Sequence, residues 1–220
     1  MKIMKMKKYT LFTLVLATMT LLSCGSGNDE NRPEENASIE DQIDETSCLY
    51  RYNEGTSKLT WTGYKTTAKK GVSGSFNEIT VSSEQNEEPK RVIESINFSI
   101  NTKSVETNDE SRNKKISELF FDIMNTPFIE GKIKALKDDG KAIFEIMMNN
   151  ITIDVEGEYK LNGSMFEWST DIDVSAWNGL MAVESLNEAC KDLHAGEDGV
   201  SKTWSEVNLS LELELLSDCD

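Results

Sequence analysis

The sequence predicts an all-β domain, a closed antiparallel barrel of eight strands with two short helices. Three observations carry that expectation. Apolar and polar residues alternate at period two along several segments, only two segments show the three- and four-residue spacing of a helix face, and turn-forming Asp, Asn and Gly separate the alternating runs. Strands with one apolar face must hide it, either by pairing two sheets or by closing one sheet into a barrel, which also removes exposed edges. The bulk of the inward phase, with Trp61, Phe98, Phe166 and Trp168, and two helices placed where lids would sit favour the barrel. About eight strands leave a lumen just wide enough for side chains or one slim ligand.

Residues 1–23 precede that domain and read as an export signal. Lys2, Lys5, Lys7 and Lys8 are followed by the apolar run LFTLVLATMTLLS, which is shorter than the roughly 20 residues a membrane-crossing helix needs. The run ends in LLSC, which resembles a bacterial lipobox. That resemblance implies that Cys24 becomes the first mature residue and carries acyl chains, tethering the protein to the bacterial cell envelope, at the outer membrane on its periplasmic or surface face. Residues 24–47 hold eight acids and one arginine with almost nothing apolar to bury, the composition of a flexible tether.

The folded domain is expected over residues 48–220, long enough for one sizeable core. KLTWTGYK places Leu59, Trp61 and Gly63 on one phase, and SINFSIN does the same with Ile96, Phe98 and Ile100. FEWSTDIDV sets Phe166, Trp168, Ile172 and Val174 against Glu167, Ser169, Asp171 and Asp173, while VNLSLELELL turns Val207, Leu209, Leu211, Leu213 and Leu215 inward. Between these runs lie GVSGSFNEITV, FIEGKIKAL, AIFEIMMN and ITIDVEGEYKL, bounded by Asp138-Asp139-Gly140, Asn149-Asn150 and Asn162-Gly163, for eight to nine strands in all. The first helix is expected in SRNKKISELFFDIMNTP, with Ile116, Leu119, Phe120 and Ile123 on one face and Pro127 as its stop. The second is expected over 181–195, with Ala182, Leu186, Cys190 and Leu193 as its stripe.

The segment around that first helix also carries a family resemblance. Ser104, Thr107, Arg112 and Phe120-Phe121-Asp122 followed by Pro127, with Trp61, Lys65, Val72, Gly74 and Phe76 upstream, resemble the signature of the YceI-like family across nearly the whole of 50–216. The resemblance implies a lipocalin-like barrel holding a long isoprenoid or fatty chain in its lumen, with a helix near the mouth. Three departures stand out: Arg112-Asn113 where the family often has Arg-Asp, a helix one residue shorter before the Phe pair, and SAWNGL in place of an Arg-x-x-Phe-Gly element before the last strand.

The ligand wall expected from phase and resemblance comprises Leu59, Trp61, Phe98, Ile100, Phe120, Phe121, Phe166, Trp168, Leu209 and Leu211. At its mouth Lys65 or Arg112 would meet a phosphate or carboxylate. The alternative is a structural or interaction lipoprotein whose barrel is filled by its own side chains.

Composition narrows the remaining classes. The formal charge of −16, made more negative by loss of the signal lysines, argues against nucleic acid as a partner. The single histidine, His194, has no His or Cys at ligand spacing, so neither a metal nor a cofactor is expected. An enzyme would need a nucleophile with its base, a carboxylate pair or a metal cluster, and a Ser-His-Asp arrangement would have to run through His194. The expected partners are therefore the lipid ligand and the membrane, with a homodimer left open. In an even-stranded barrel the last strand pairs with the first, which would bring Cys48 and Cys219 together in a disulfide and leave Cys190 a buried thiol. The rival pairing is Cys48 with Cys190.

Overall fold

The structure, a computed structural model, describes residues 48–219. The export signal, Cys24 and the acidic tether lie outside the described residues. The domain contains eleven strands: β1 (Cys48–Tyr52), β2 (Lys58–Lys65), β3 (Lys70–Phe76), β4 (Ile79–Ser82), β5 (Asn97–Asn101), β6 (Val105–Glu106), β7 (Phe128–Leu136), β8 (Lys141–Met148), β9 (Ile151–Asn162), β10 (Met165–Asp173) and β11 (Thr203–Cys219). Its helices are α1 (Pro89–Glu94), α2 (Glu110–Ile116), α3 (Leu180–Ala189) and α4 (Lys191–His194).

All ladders are antiparallel, and the sheet runs β4-β5-β7-β8-β9-β10-β11-β2-β3-β6, with β1 added to β11. Turn chemistry accounts for the hairpins. Asn149 and Asn150 connect β8 to β9 with φ of 48° and 57°, the doubly left-handed geometry of a type I′ turn, and Gly163 takes φ +60° between β9 and β10. The 17-residue β11 organises the rest. One edge pairs with β10, while the other pairs first with β2 (Thr203↔Lys65 to Glu212↔Lys58) and then with β1 (Tyr52↔Leu215 to Cys48↔Cys219). The Cys48 and Cys219 Cα atoms sit 4.1 Å apart and the two residues form a disulfide; Cys190 is free and buried.

The closed eight-stranded barrel needs correction. The ladder is an open, curled path of ten strands plus β1, with β4 and β6 as its ends. The cause is local. Asn77 and Glu78 carry the chain from β3, next to the β6 edge, to β4 at the other edge, and the Thr102–Ser104 3₁₀ turn takes the backbone out of extension just where a partner strand would be needed. What remains of β6 makes two residue pairs with β3, and the seam is bridged by single bonds: Asn77 N–H to the Ser104 carbonyl (2.9 Å) and Asn101 N–H to the Glu78 carbonyl (3.0 Å).

Helix α1 is an element beyond the two expected. It starts with Pro89 in its first turn, where no N–H is needed, and buries Val92 and Ile93 completely. The first expected helix is also altered. After α2, Ser117–Phe121 winds as a π-helix, with Asp122 N–H bonding to the Ser117 carbonyl at 3.0 Å. One extra residue in that turn rotates the following face by about 100°. Phe121 and Met124 are therefore buried, whereas Ile123, expected on the apolar face, is exposed.

The core lies toward the end of the sheet that α1 and the disulfide occupy. Phe166 and Trp168 are 0 % and 3 % exposed, Phe144 stacks on Trp168 with centroids 4.0 Å apart, and Leu213, Leu215, Ile133 and Ile93 fill the space around them.

Candidate ligand-binding cavity

Toward the other end the same strands stay paired, but their inward side chains leave space between the sheet and the helices. An apolar cavity of about 380 Å³ opens there, inside the roughly 300–1,000 Å³ span of small-molecule sites. Its walls come from the inward phase of several elements: Trp61 and Gly63 on β2, Val72 and Phe76 on β3, Ile172 on β10, and Val207 and Leu209 on β11. Helices form the rest, with Ile116, Phe120 and Phe121 from the α2 segment and Val183, Leu186, Cys190, Leu193 and His194 from α3 and α4.

Each helical wall is held by identifiable bonds. Asp109 caps α2 by accepting from the Arg112 N–H at 3.0 Å. Asn113, at the position where the family often has Asp, accepts from the Thr107 hydroxyl (2.6 Å) and N–H (2.9 Å) and donates to Glu106 (3.1 Å). An amide serves both sides of that contact, which a carboxylate could not. Phe121 packs edge-on to Phe120, with centroids 5.1 Å apart, and 5.9 Å from Phe76, so the Phe pair closes one wall. Trp177, within the divergent SAWNGL, is buried and donates its indole N–H to the Ile146 carbonyl at 3.2 Å, anchoring the turn that leads into α3.

Of the side chains expected to line the lumen, the structure brings Trp61, Phe120, Phe121 and Leu209 to this cavity, and it brings Lys65 and Arg112, expected at the mouth, there as well. Leu59, Phe98, Ile100, Phe166, Trp168 and Leu211 do not reach it. Phe166, Trp168 and Ile100 are buried core, Phe98 packs over Gly131 and toward Phe144, and Leu211 lies against the core with Leu59 as its ladder partner. They have the correct phase but sit too far along their strands. Val72, Phe76, Ile172, Val207, Trp204 and His194 line the cavity although not expected as ligand residues. For Ile172 and Val207 the signal was present, since both continue an alternation already recognised. For Trp204 and His194 it was not.

Polar groups gather at one side. Lys65 Nζ donates to the Leu193 carbonyl at 3.1 Å, and His194 Nδ1 lies 2.6 Å from Thr203 Oγ1. Because the Thr203 hydroxyl donates to Asn187 Oδ1 (3.0 Å), the hydrogen-bond network assigns the neutral ring as the Nδ1–H tautomer. Burial, reinforced by the positive charges of Lys65 and Lys115, holds the imidazole below its ordinary pKa. Among the described residues no group of three or more His, Cys, Asp or Glu side chains could hold a metal ion, and no helix is long and apolar enough to cross a membrane.

A curled antiparallel sheet with a one-ended apolar cavity and helices over its mouth defines a lipocalin-like fold. The chain belongs to the YceI-like family, whose domain model matches residues 50–215. Among solved structures it resembles Burkholderia cenocepacia BcnA, with 16 % identity, 75 % of this chain and 99 % of that one covered, and a TM-score of 0.51. It also resembles a polyisoprenoid-binding domain from Saccharophagus degradans, implicated in plant cell wall breakdown, with 11 % identity, 80 % and 99 % coverage, and a TM-score of 0.52. No match is found among curated proteins.

Proposed function

We propose that this protein binds a long apolar or amphiphilic chain, isoprenoid-like or fatty-acid-like, in the cavity, and that it works as a lipoprotein anchored through Cys24 at the bacterial cell envelope. The observation that carries the binding is the cavity itself. A domain that stacks Phe144 on Trp168 at one end leaves about 380 Å³ lined by Trp61, Ile172, Phe120 and Leu209 unfilled at the other. The family membership and the polyisoprenoid-binding neighbour support the same reading. At roughly 0.8 kcal/mol per methylene, burying ten contributes on the order of 8 kcal/mol before association costs. The rival, a domain filled by its own side chains, has this volume against it.

Purification of the full chain from membranes, followed by organic extraction and mass spectrometry, tests the binding. A long-chain species in near-stoichiometric amount is expected, and its absence from extracts of the native protein would contradict the proposal. The anchor rests on the LLSC motif and the acidic, unattractive tether that follows it. Cys24→Ala is expected to release the protein from the membrane fraction. Continued pelleting after a salt wash would overturn that part.

A further inference from the structure

The cavity is apolar except on one side, where it is lined by the charged residues Lys65 on β2 and Asp109, Arg112 and Lys115 at α2, together with His194 on α4. The cations outnumber the single acid in a chain whose formal charge is −16. Elsewhere in the domain cations are mostly neutralised locally, as in Lys134 with Asp154 (2.8 Å), Lys137 with Glu156 (2.7 Å) and Lys103 with Asp122 (2.6 Å). Arg112 follows that rule, since its Nη2 lies 3.5 Å from Asp109. Lys65 and Lys115 do not: among the described residues neither forms an ion pair, and the one bond Lys65 makes, to the Leu193 carbonyl, leaves two of its donors unused. The Nε2 of His194 likewise has no hydrogen-bond partner among the described residues.

Resting on the lipid-binding reading above, we propose that the ligand is an anionic amphiphile, a carboxylate or phosphate monoester on a long chain, whose head is held by Lys65, Lys115 and His194 Nε2. Arg112, committed to Asp109, shapes the mouth without being the main cation. An ammonium partly desolvated beside an apolar cavity attracts an anion more strongly than it would in water, and charge-assisted bonds are the stronger class. Burial holds the His194 pKa down and the positive charges of Lys65 and Lys115 lower it further, so an anion seated beside those lysines would offset their part and favour the imidazolium.

The test uses the full chain in phosphatidylcholine nanodiscs and two probes of equal chain length, dodecanoate and dodecan-1-ol, followed through Trp61 and Trp204 fluorescence. Dodecanoate is expected to bind about tenfold tighter than the alcohol at neutral pH. Lys65→Gln combined with Lys115→Gln is expected to erase that difference by weakening dodecanoate binding toward that of the alcohol. Because the chain has a single histidine, NMR of a ring-labelled sample reads its pKa directly, which is expected to rise with dodecanoate and not with the alcohol. Equal binding of the two probes by the native protein would overturn the anionic head while leaving lipid binding intact. Failure of both probes to bind would overturn lipid binding as well. If inorganic phosphate alone raised the His194 pKa without competing with dodecanoate, the site would belong to a free anion and the proposal would fall.

Discussion

The two ends of the sheet are made from the same strands with the same inward phase, yet one is packed and the other hollow. On β10, Phe166 and Trp168 are buried against Phe144 and Tyr159, while Ile172, on the same phase, faces the cavity. On β11, Leu213 and Leu215 belong to the core, whereas Val207 and Leu209 are cavity wall. Two glycines show the difference most sharply. A Cβ on Gly157 would lie 2.5 Å from Trp168 Nε1 and 2.6 Å from the Ser169 carbonyl, so the glycine is there to let an aromatic approach the backbone. A Cβ on Gly63 meets no heavy atom within 4 Å, because that strand position looks into open space. Alternation thus decides which side of a strand is hidden, and the closing elements at each end decide whether the hidden side is core or binding wall. The packed end has α1 and β1 lying across it, and the hollow end has α2, α3 and α4 at its rim.

Removing what closes the packed end should have the largest effect. The Cys48–Cys219 bridge spans a sequence separation of 171 residues, and chain-entropy reasoning sets its contribution at about 5 kcal/mol as an upper figure. Denaturant unfolding of a Cys48→Ser, Cys219→Ser variant is expected to show a loss of a few kcal/mol. A loss below about 1 kcal/mol would mean that the β1–β11 ladder and α1 hold that end without it.

Core truncation comes next and separates the two ends directly. Phe166→Ala or Trp168→Ala is expected to cost about 3–5 kcal/mol, while Ile172→Ala, at a wall that already borders a void, is expected to cost at the lower end of the aliphatic range or less in delipidated protein. Equal losses at Phe166 and Ile172 would erase the distinction between core and wall.

A smaller effect is expected with pH. The folded-state pKa of His194 is depressed, so the unfolded chain binds the proton more readily. The associated stability is present in full above the ordinary imidazole value of about 6.5 and is lost as the pH falls through it toward the folded value. His194→Gln is expected to flatten the stability profile of delipidated protein between pH 7 and 5. An unchanged slope would show that other groups dominate it.

Much of the fold was legible because β10 alternates in burial as it does in sequence, and β11 alternates in sequence from Val207 to Leu215. What stayed hidden has physical reasons. A six-residue helix such as α1 offers barely two turns of periodicity, and a π-turn at Ser117–Phe121 shifts the phase of Ile123 without leaving a residue-level mark. The open seam depends on a 3₁₀ turn at Thr102–Ser104 that shortens β6 to two residues. Phase alone could not tell Trp168 from Trp61, because both face inward and only their distance along tilted strands separates core from cavity. His194 escaped notice for a similar reason: its place beside Lys65 is set by the fold, through the bond from Lys65 to the Leu193 carbonyl, across 128 residues of sequence.

Filling the hollow end tests the central claim most directly. Gly63→Leu adds a side chain where the structure has open space and replaces a strand glycine with a residue better suited to a sheet. The protein purified from membranes should lose its extractable long-chain lipid while its delipidated form unfolds at the same or a higher temperature than the delipidated native chain. Retention of lipid in native amount by a stable Gly63→Leu protein would contradict the account, because the cavity beside Gly63 would then not be where the ligand lies.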